Sequence, residues 1–286
     1  MKKFEGRVAV ITGGGSGIGA ALSRACSARE MKVVVVDVEE SAGERVAHGI
    51  RQQGGDAFAR VVDVRHRTEL ERLAREVDER YGGCHLLCNN AGVLVTRPVL
   101  ELEEKDWAWT LAVNLMGPIH AVSVFLPGMI ASGEPGHVVN TASIAGLVTF
   151  PQMDLAAYTT SKFGLVGYSE YLRGDLAAQG IPIGVSVVCP GAVETSIAES
   201  ERNRPAELDT GQGGKTAAAD PAGPAVAGLQ TPEAAAERIL AGVERDEAWI
   251  LTHPEMKGLV EARSRALLAA FDAAAGPASG APGVRD

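Results

Sequence analysis

Positive charge is in deficit along this chain of 286 residues. Lys and Arg together number 27 against 36 Asp and Glu, which gives a formal net charge of -9 at neutral pH. A surface with this balance repels the phosphates of nucleic acids and of anionic lipids. Nucleic acids and membrane surfaces are therefore not expected as partners.

Long uninterrupted apolar runs are also missing from the sequence. We expect no membrane span, because no stretch approaches the roughly 18 apolar residues that a bilayer requires. Glu5 and Arg7 interrupt the start of the chain before the apolar core of a signal peptide can form. Together these absences indicate a cytoplasmic protein.

Cysteine is scarce, with four residues in the chain: Cys26, Cys84, Cys88 and Cys189. Cys84 and Cys88 flank His85 at a spacing that is compatible with a metal site. A closed zinc site needs four ligands, however, and the chain offers one such pair. We interpret the four as reduced, mostly buried thiols, as is usual in cytosolic proteins, and expect no metal.

Short apolar runs rich in Val and Ile are abundant. Seven of them are typical of buried strands, at residues 7–12, 32–38, 57–62, 85–89, 137–142, 183–188 and 248–252. Helical patterns alternate with them, at residues 16–29, 40–54, 68–81, 103–130, 155–179, 232–244 and from 253 to about 270. The alternation predicts an α/β fold with a doubly wound, parallel seven-stranded sheet, a Rossmann fold.

No linker or internal repeat divides these elements, so we predict a single domain over residues 1–272. The stretch 209–228 is rich in Gly, Ala and Pro and falls between two elements of the same sheet. It forms the centre of a predicted lid loop at about 196–230. Residues 273–286 are predicted to be a disordered tail.

A glycine-rich turn joins the first predicted strand to the first helix. Its candidate cofactor residues are Gly13, Ser16, Gly17, Ile18 and Gly19. Glycine lets the backbone approach a pyrophosphate closely, and a helix N-terminus presents free N–H groups to it. Flexible loops share this composition, but the position inside a βαβ unit favours a dinucleotide site.

Asp37 ends the second predicted strand, 18 residues after Gly19. A carboxylate at this place accepts hydrogen bonds from the ribose hydroxyls of adenosine, although a strand-end cap is the alternative. It would repel the 2′-phosphate of NADP, and the following Val38, Glu39 and Glu40 offer no cation in exchange. The sequence therefore predicts NAD as the cofactor.

Further candidate cofactor contacts end the third and fourth predicted strands, at the sheet edge where open α/β folds bind ligands. They are Asp63, Val64, Asn90, Ala91 and Gly92. Ordinary turn chemistry would also account for these residue types.

Tyr158 and Lys162 are four residues apart on a predicted helix, so they share one face. The pKa of a free phenol, about 10, is too high for a base at neutral pH. A nearby ammonium would lower the pKa of Tyr158 toward the range in which acid/base catalysis works. Taken alone, such a pair is more often an ordinary surface pair.

Several motifs follow one another in a recognisable order: the glycine-rich turn, Asn90-Ala91-Gly92, Ser143, Tyr158 with Lys162, and Pro190-Gly191. In this order the chain resembles the short, single-domain branch of the short-chain dehydrogenase/reductase family. The resemblance runs from about residue 5 to residue 195 and resumes near residue 232. It implies a hydride transfer between NAD and a secondary alcohol or ketone.

The resemblance also implies roles for individual residues. Tyr158 would take the alcohol proton, Ser143 would hydrogen-bond the reacting oxygen, and Lys162 would bind the nicotinamide ribose. Asn114 would support a proton relay, with a local helical hydrogen bond as the alternative. The residues implied at the nicotinamide end are Pro190, Gly191, Val193 and Thr195.

Two departures from the family pattern stand out. Glu30 occupies a turn between the first helix and the second strand where glycine is common, which is expected to cost stability. The stretch from Ser143 to Tyr158 is also slightly long, and its added apolar part is expected to reshape the substrate pocket.

The candidate substrate contacts, besides Ser143 and Tyr158, are apolar: Leu94, Leu147 and Met153. They predict a hydrophobic or aromatic substrate. The segments 133–137 and 199–208 are similar to those of bacterial dehydrogenases that act on lignin-derived benzylic alcohols. Arg202 and Arg204 are interpreted as a solvated charge cluster rather than a carboxylate site. The family resemblance further implies a homodimer or homotetramer.

Three other functions are compatible with parts of the pattern. A regulator that senses NAD would keep the glycine-rich turn and Asp37 but would not need Ser143, Tyr158 and Lys162 together. A methyltransferase also uses a glycine-rich turn and an acidic residue, again without the Tyr/Lys pair. An NADP-linked carbonyl reductase is the nearest alternative among oxidoreductases.

Overall fold

The computed structural model describes residue 1, residues 3–211 and residues 228–275. Its strands are β1 (Val8–Thr12), β2 (Lys32–Asp37), β3 (Ala57–Val61), β4 (Leu86–Asn89), β5 (Gly136–Thr141), β6 (Ile183–Cys189) and β7 (Trp249–Leu251). Its helices are α1 (Gly17–Ser27), α2 (Glu40–Gln52), α3 (Arg67–Tyr81), α4 (Glu104–Leu111), α5 (Gly117–Ala131), α6 (Ala156–Ala178), α7 (Pro232–Glu244) and α8 (Lys257–Ala275).

All seven strands form one parallel sheet in the order β3-β2-β1-β4-β5-β6-β7. The chain moves outward from β1 to β3 and then returns to place β4 on the other side of β1. The connections therefore diverge between β1 and β4, and the carboxyl ends of these two strands open a crevice there. The predicted doubly wound, seven-stranded fold is confirmed.

The strands are apolar throughout because both faces of the sheet are covered. Ala9 and Ile11 face one side, where they pack with residues of α1, α2 and α7. Val8 and Val10 face the other, where α3, α5 and α6 cover them. Cys84 and Cys88 belong to these two separate cores, so their thiols do not converge.

Local signals mark the helix boundaries. Thr231 caps α7 by accepting a hydrogen bond from the Ala234 N–H, and Pro232 occupies the first turn. Gly82 ends α3 in a left-handed conformation, with φ of 81°. Glu30 also has a positive φ, 61°, so the side chain noted in the sequence does occupy a turn that favours glycine.

The predicted helix at 103–130 is divided in the structure. A π-helical segment, Ala112–Met116, separates α4 from α5. Within Glu104–Ala131, a window of 18 residues has a mean hydropathy of 1.4, so this stretch is long and apolar enough to cross a membrane by length and composition. The expectation that no stretch approaches that length is therefore wrong. In this fold α5 packs against α3 and the sheet, which accounts for its apolar character.

The C-terminal helix extends further than expected. Ala273 to Ala275 belong to α8, so the predicted tail begins at least three residues too early, and residues 276–286 lie outside the described residues. The helix leaves Leu267, Leu268 and Phe271 exposed. Of the predicted lid loop, residues 212–227 also lie outside the described part of the chain.

Candidate active site

The glycine-rich turn forms a tight cradle at the carboxyl end of β1. Gly13 and Gly17 have φ of 62° and 47°, which favour glycine. A Cβ atom on Gly13 would lie 2.9 Å from the Ala91 Cα, and one on Gly19 would lie 2.0 Å from the Gly13 carbonyl oxygen. The Ser16 side chain makes no capping hydrogen bond to α1. The turn can therefore present its backbone N–H groups to a ligand.

Asn90 and Ala91 hold this turn against the end of β4. The backbone N–H groups of both donate to the Thr12 hydroxyl, at 3.0 and 3.1 Å. The Asn90 amide also donates to the carbonyl oxygens of Thr12 and Gly13, at 3.3 and 3.4 Å. The residues at the β4 end thus support the turn and line the cleft beside it.

Asp37 connects the turn to the end of β2. One carboxylate oxygen accepts a hydrogen bond from the Gly15 N–H at 2.9 Å, and the other accepts from the Glu39 N–H at 3.0 Å. The side chain still lines the cleft, where its remaining lone pairs can accept further bonds.

Two cations line the same end of the cleft, so the sequence-based expectation that no cation is offered is wrong. The Arg65 Nε donates to Asp63 Oδ2 at 2.8 Å. The Arg202 Nη2 donates to Glu39 Oε1 at 2.6 Å. Each guanidinium is thus already paired with a carboxylate.

Ser143, Tyr158 and Lys162 meet at the other end of the cleft. Ser143 follows β5, and its hydroxyl oxygen accepts a hydrogen bond from the Ala145 N–H at 3.1 Å. The Tyr158 side chain lines the cleft with Ser143, and the Ser143 side chain acts to lower the Tyr158 pKa. Lys162, one turn further along α6, is 2% exposed and donates to the Thr141 carbonyl oxygen at 2.8 Å. Its Nζ lies 5.5 Å from the centroid of the Tyr158 ring.

Burial dominates the electrostatics of this group. It raises the pKa of Tyr158 to about 12, against a smaller opposing effect of the Ser143 hydrogen bond. It lowers the pKa of Lys162 to about 8. The expectation that Lys162 makes Tyr158 more acidic is therefore not met in the structure as it stands. Desolvation of the phenolate outweighs the ammonium, which is directed at Thr141.

Asn114 lies in the π-helical segment and is fully buried. Its side-chain oxygen accepts from the Val93 N–H at 2.8 Å, and its amide donates to the Val93 carbonyl at 2.9 Å and to Ser161 Oγ at 3.1 Å. The side chain therefore joins three segments behind the cleft, beyond the purely local bond considered from sequence. It is not among the residues that line the cleft.

The cleft encloses about 460 Å³. The sequence-predicted residues that line it are Gly13, Ser16, Ile18, Asp37, Asp63, Val64, Asn90, Ala91, Gly92, Leu94, Ser143, Met153, Tyr158, Lys162, Pro190, Gly191, Val193 and Thr195. Gly17 and Gly19 lie behind this surface, where a Cβ on Gly17 would meet Thr195. The prediction that Leu147 contacts the substrate is wrong, because Leu147 packs into the separate cluster around Leu165 and Val187.

Part of the lid is docked over the cleft. The Ser200 hydroxyl accepts from the Leu94 N–H at 2.8 Å and donates to the Leu94 carbonyl at 3.2 Å. Arg204 is 5% exposed and donates to Asp106 Oδ1 at 2.8 Å. The interpretation of Arg204 as solvated is therefore wrong, and Arg202 is half-exposed but paired.

Several lining residues were not singled out from sequence: Glu39, Arg65, Trp109, Thr141, Ser200, Arg202 and Asn203. Glu39 was discussed there as a residue that offers no positive charge, and Arg202 as a solvated cation. The position of Glu39, two residues after Asp37, was the available signal that Glu39 lines the cleft. Its partners in the lid, Arg202 and Asn203, are 163 and 164 residues away along the chain, so no local pattern connects them to Glu39.

Comparisons with known proteins agree with this arrangement. Residues 7–206 match the family described as short chain dehydrogenase. The C alpha-dehydrogenase of Sphingobium sp. is 35% identical over 94% of this chain and 87% of its own. A short chain dehydrogenase/reductase from Burkholderia phymatum, solved in complex with NAD, has a TM-score of 0.87 and 35% identity, over 93% of this chain and 96% of its own.

A third similar structure carries the other nicotinamide cofactor. It is a metagenomic short-chain oxidoreductase in complex with NADP, with a TM-score of 0.62 and 35% identity, and it covers 67% of this chain and 86% of its own. The similar structures thus include both cofactors, and the choice between them depends on the residues of this cleft.

Proposed function

Because the chain belongs to the short-chain dehydrogenase family, a family of oxidoreductases, we propose that it transfers a hydride between NAD and a secondary alcohol or its ketone. The observation that carries the proposal is the meeting of Ser143, Tyr158 and Lys162 in the cleft that the glycine-rich turn also lines. Because the chain belongs to this family, the methyltransferase hypothesis is no longer supported. A regulator that only senses NAD would not need Ser143, Tyr158 and Lys162 together in this cleft.

The residues of the cleft fit a dinucleotide. Gly13 and Gly19 let the turn pack closely against Ala91 and against its own backbone, and Gly13, Ser16 and Ile18 line the cleft at the N-terminus of α1, which suits a pyrophosphate held by backbone N–H groups. Asp37 would hold the ribose of adenosine, and Pro190, Gly191, Val193 and Thr195 would lie at the nicotinamide end. When bound, NAD accepts the hydride from the alcohol carbon or, as NADH, returns it to the ketone.

The charge at the adenosine end supports NAD over NADP. Asp37 presents a carboxylate to the ribose, while Glu39 occupies the Arg202 guanidinium that would otherwise be available to a 2′-phosphate. Asp63 occupies Arg65 in the same way. An NADP-linked carbonyl reductase is the second candidate, supported by the similar structure that contains NADP.

The protein groups divide the proton chemistry among themselves. Tyr158 exchanges the proton with the substrate oxygen as the hydride moves, and the Ser143 hydroxyl donates a hydrogen bond to the same oxygen. Lys162, which lines the cleft beside Tyr158, would bind the nicotinamide ribose. Asn114 supports the site from behind, because its side chain fixes Val93 and Ser161. Alcohol oxidation is then expected to accelerate with rising pH, since it needs the phenolate.

The substrate end of the cleft is mainly apolar. Leu94, Met153, Val193 and Trp109 line it beside Ser143 and Tyr158. We infer a hydrophobic or aromatic secondary alcohol, with benzylic alcohols as the first class to test. The similarity to the C alpha-dehydrogenase of Sphingobium sp. supports this choice.

A panel of benzylic, aliphatic and sugar secondary alcohols with NAD, followed by NADH absorbance, tests the function. We expect turnover of apolar members and its loss in Tyr158→Phe, with NAD binding retained within about twofold by calorimetry. The phenylalanine keeps the ring and removes the proton-exchanging group. Near-normal turnover by the variant would remove Tyr158 from the mechanism, and NAD binding without turnover of any alcohol would favour the regulator.

We also infer one catalytic domain that extends at least to the end of α8 at Ala275, with its lid at about 196–230, and assembly as a homodimer or homotetramer. The exposed Leu267, Leu268 and Phe271 of α8 and Tyr171 of α6 support assembly. Light scattering coupled to size-exclusion chromatography tests it. A cytoplasmic location fits the four cysteines, all of which are buried and free.

A further inference from the structure

His253 lies directly behind the segment that lines the nicotinamide end of the cleft. It follows β7, is 4% exposed and is not among the cleft-lining residues. A Cβ atom on Gly191 would lie 2.6 Å from the His253 Cγ, so the imidazole packs face to face with the glycine backbone. The close approach requires glycine at position 191.

The imidazole is hydrogen-bonded to two peptide groups of that segment. The Gly191 N–H donates to His253 Nδ1 at 3.0 Å. Nδ1 is therefore unprotonated, so the proton of the neutral ring is on Nε2, which lies 3.1 Å from the Ala192 carbonyl oxygen and donates to it. The Thr252 hydroxyl also lies within hydrogen-bond distance of Nδ1, at 2.7 Å.

A second element holds the same segment from the same side. Gln230 pairs with it as a short parallel bridge, in which the Gln230 N–H donates to the Ala192 carbonyl and the Glu194 N–H donates to the Gln230 carbonyl. The Gln230 amide in turn donates to the Thr252 carbonyl at 2.6 Å. Thr252 and His253 thus connect both ends of the lid to the end of β7.

The pairing decides which way the remaining backbone groups point. In an extended segment, successive peptide groups face opposite sides. Since the Ala192 carbonyl and the Glu194 N–H face Gln230, the N–H and C=O of Val193 face away from it, and Val193 is among the residues that line the cleft. One donor and one acceptor side by side match a primary carboxamide.

We propose that His253 is a positioning residue that orients the Gly191–Val193 backbone toward the nicotinamide end of the cofactor. This inference rests on the proposed function, because it assumes that NAD is the ligand. His253 itself does not reach the cleft, so it acts through two peptide groups and not through contact with cofactor or substrate.

The test compares two ligands that differ at one end. NAD contains nicotinamide, whereas ADP-ribose lacks it and keeps the adenosine, pyrophosphate and second ribose. In His253→Phe the ring volume remains and both hydrogen bonds are lost. We expect the Kd for NAD to rise roughly tenfold, from two hydrogen bonds of ordinary strength. The Kd for ADP-ribose should stay within about twofold.

A second variant and a control complete the design. His253→Asn keeps an acceptor for the Gly191 N–H and loses the Ala192 contact, so NAD binding should weaken by roughly threefold. It decides the question if the phenylalanine variant does not fold. His48→Phe, at an exposed site on α2, controls for the substitution itself and should leave both dissociation constants unchanged.

The outcomes separate the two proposals. Selective weakening of NAD supports the positioning role. Equal weakening of NAD and ADP-ribose, or no change in either, would overturn it and reduce His253 to a packing residue. Absence of NAD binding by the unaltered protein would overturn the proposed function, and the inference with it.

Discussion

Cofactor choice can be tested with the single substitution Glu39→Gln. The Glu39 carboxylate accepts hydrogen bonds from Arg202 at 2.6 Å and from the Asn203 amide at 2.8 Å, through the same oxygen. Glutamine offers a carbonyl oxygen in the same place, so both bonds can persist. What changes is the charge: one carboxylate disappears, and the Arg202 guanidinium loses the carboxylate with which it is paired in the cleft that Asp37 also lines.

The size of the effect follows from the charges. A 2′-phosphate carries almost two negative charges. At a separation of ~5 Å in a water-like medium, removal of one carboxylate relieves about 1.5 kcal/mol of repulsion. We therefore expect the ratio of kcat/KM for NADP to that for NAD to rise roughly tenfold. The gain should shrink at high salt, because the site is half-exposed and screened.

Matched variants make this test specific. Glu40→Gln removes the same charge from the neighbouring, exposed position and should change the ratio far less. Adding Arg202→Ala to Glu39→Gln should reverse most of the gain, because the freed cation is removed. An unchanged cofactor ratio in Glu39→Gln, or an equal change in Glu40→Gln, would refute the assignment of Glu39 and Arg202 to cofactor selection.

Three further predictions concern stability. Lys162→Met should abolish turnover yet stabilise the fold by about 2 kcal/mol at pH 7 in denaturant titrations. Burial lowers the Lys162 pKa from 10.5 to about 8, which costs about 3 kcal/mol of stability, and the hydrogen bond that the methionine loses offsets part of the gain. The cost of the buried Lys162 is fully present below pH 8 and vanishes as pH rises toward 10.5, because the unfolded chain then binds more protons than the folded chain. If the stability difference between Lys162→Met and the unaltered protein did not narrow at high pH, this prediction would be refuted. Glu30→Gly should raise the free energy of unfolding by about 0.5 to 1 kcal/mol, because it relieves a φ of 61°, and a lower melting temperature would contradict this. Arg204→Met should lower stability by about 2 to 3 kcal/mol, since it leaves the buried Asp106 without its 2.8 Å partner, whereas the half-exposed Arg202→Met should cost under about 1 kcal/mol.

The fold was predictable because its signals are local. Each central strand is buried on both faces, so it appears in the sequence as a continuous apolar run, as in Lys32–Asp37. The glycine-rich turn was recognisable for the same reason, since every residue of the cradle lies within one short segment. The division of the long helix at Ala112–Met116 was not predictable, because no proline or glycine inside that segment announces it.

The fate of charged residues in the lid could not be predicted, because it depends on contacts remote in sequence. Arg204 is preceded along the chain by the polar residues 199–203, a pattern that is typical of a solvated segment. In the fold its guanidinium lies 4.4 Å from the Trp109 ring and bonds an aspartate 98 residues earlier. Leu147 is a similar case, because its position near Ser143 in sequence gives no information about which side of the turn it packs on.

The electrostatics of the catalytic group required the structure for a different reason. Spacing on a helix shows that Tyr158 and Lys162 share a face, but it does not show how much water that face retains. Burial raises the pKa of Tyr158 and lowers the pKa of Lys162, so it favours the neutral form of each group. The effect expected for Tyr158 from sequence was a lowered pKa. Desolvation depends on every neighbouring segment, so a pairwise argument from sequence gave the wrong sign.

The burial of Lys162 is itself an argument for catalysis over packing. Lys162 is 2% exposed and its ammonium donates to a backbone carbonyl, and within the described part of the chain the charges that act on it include no carboxylate. A buried cation without a carboxylate costs stability that a methionine of similar length would not. Natural chains keep such costs where function needs them. The variants Lys162→Met and Lys162→Arg separate a catalytic role from a packing role. If packing were the role of Lys162, the methionine variant would keep turnover.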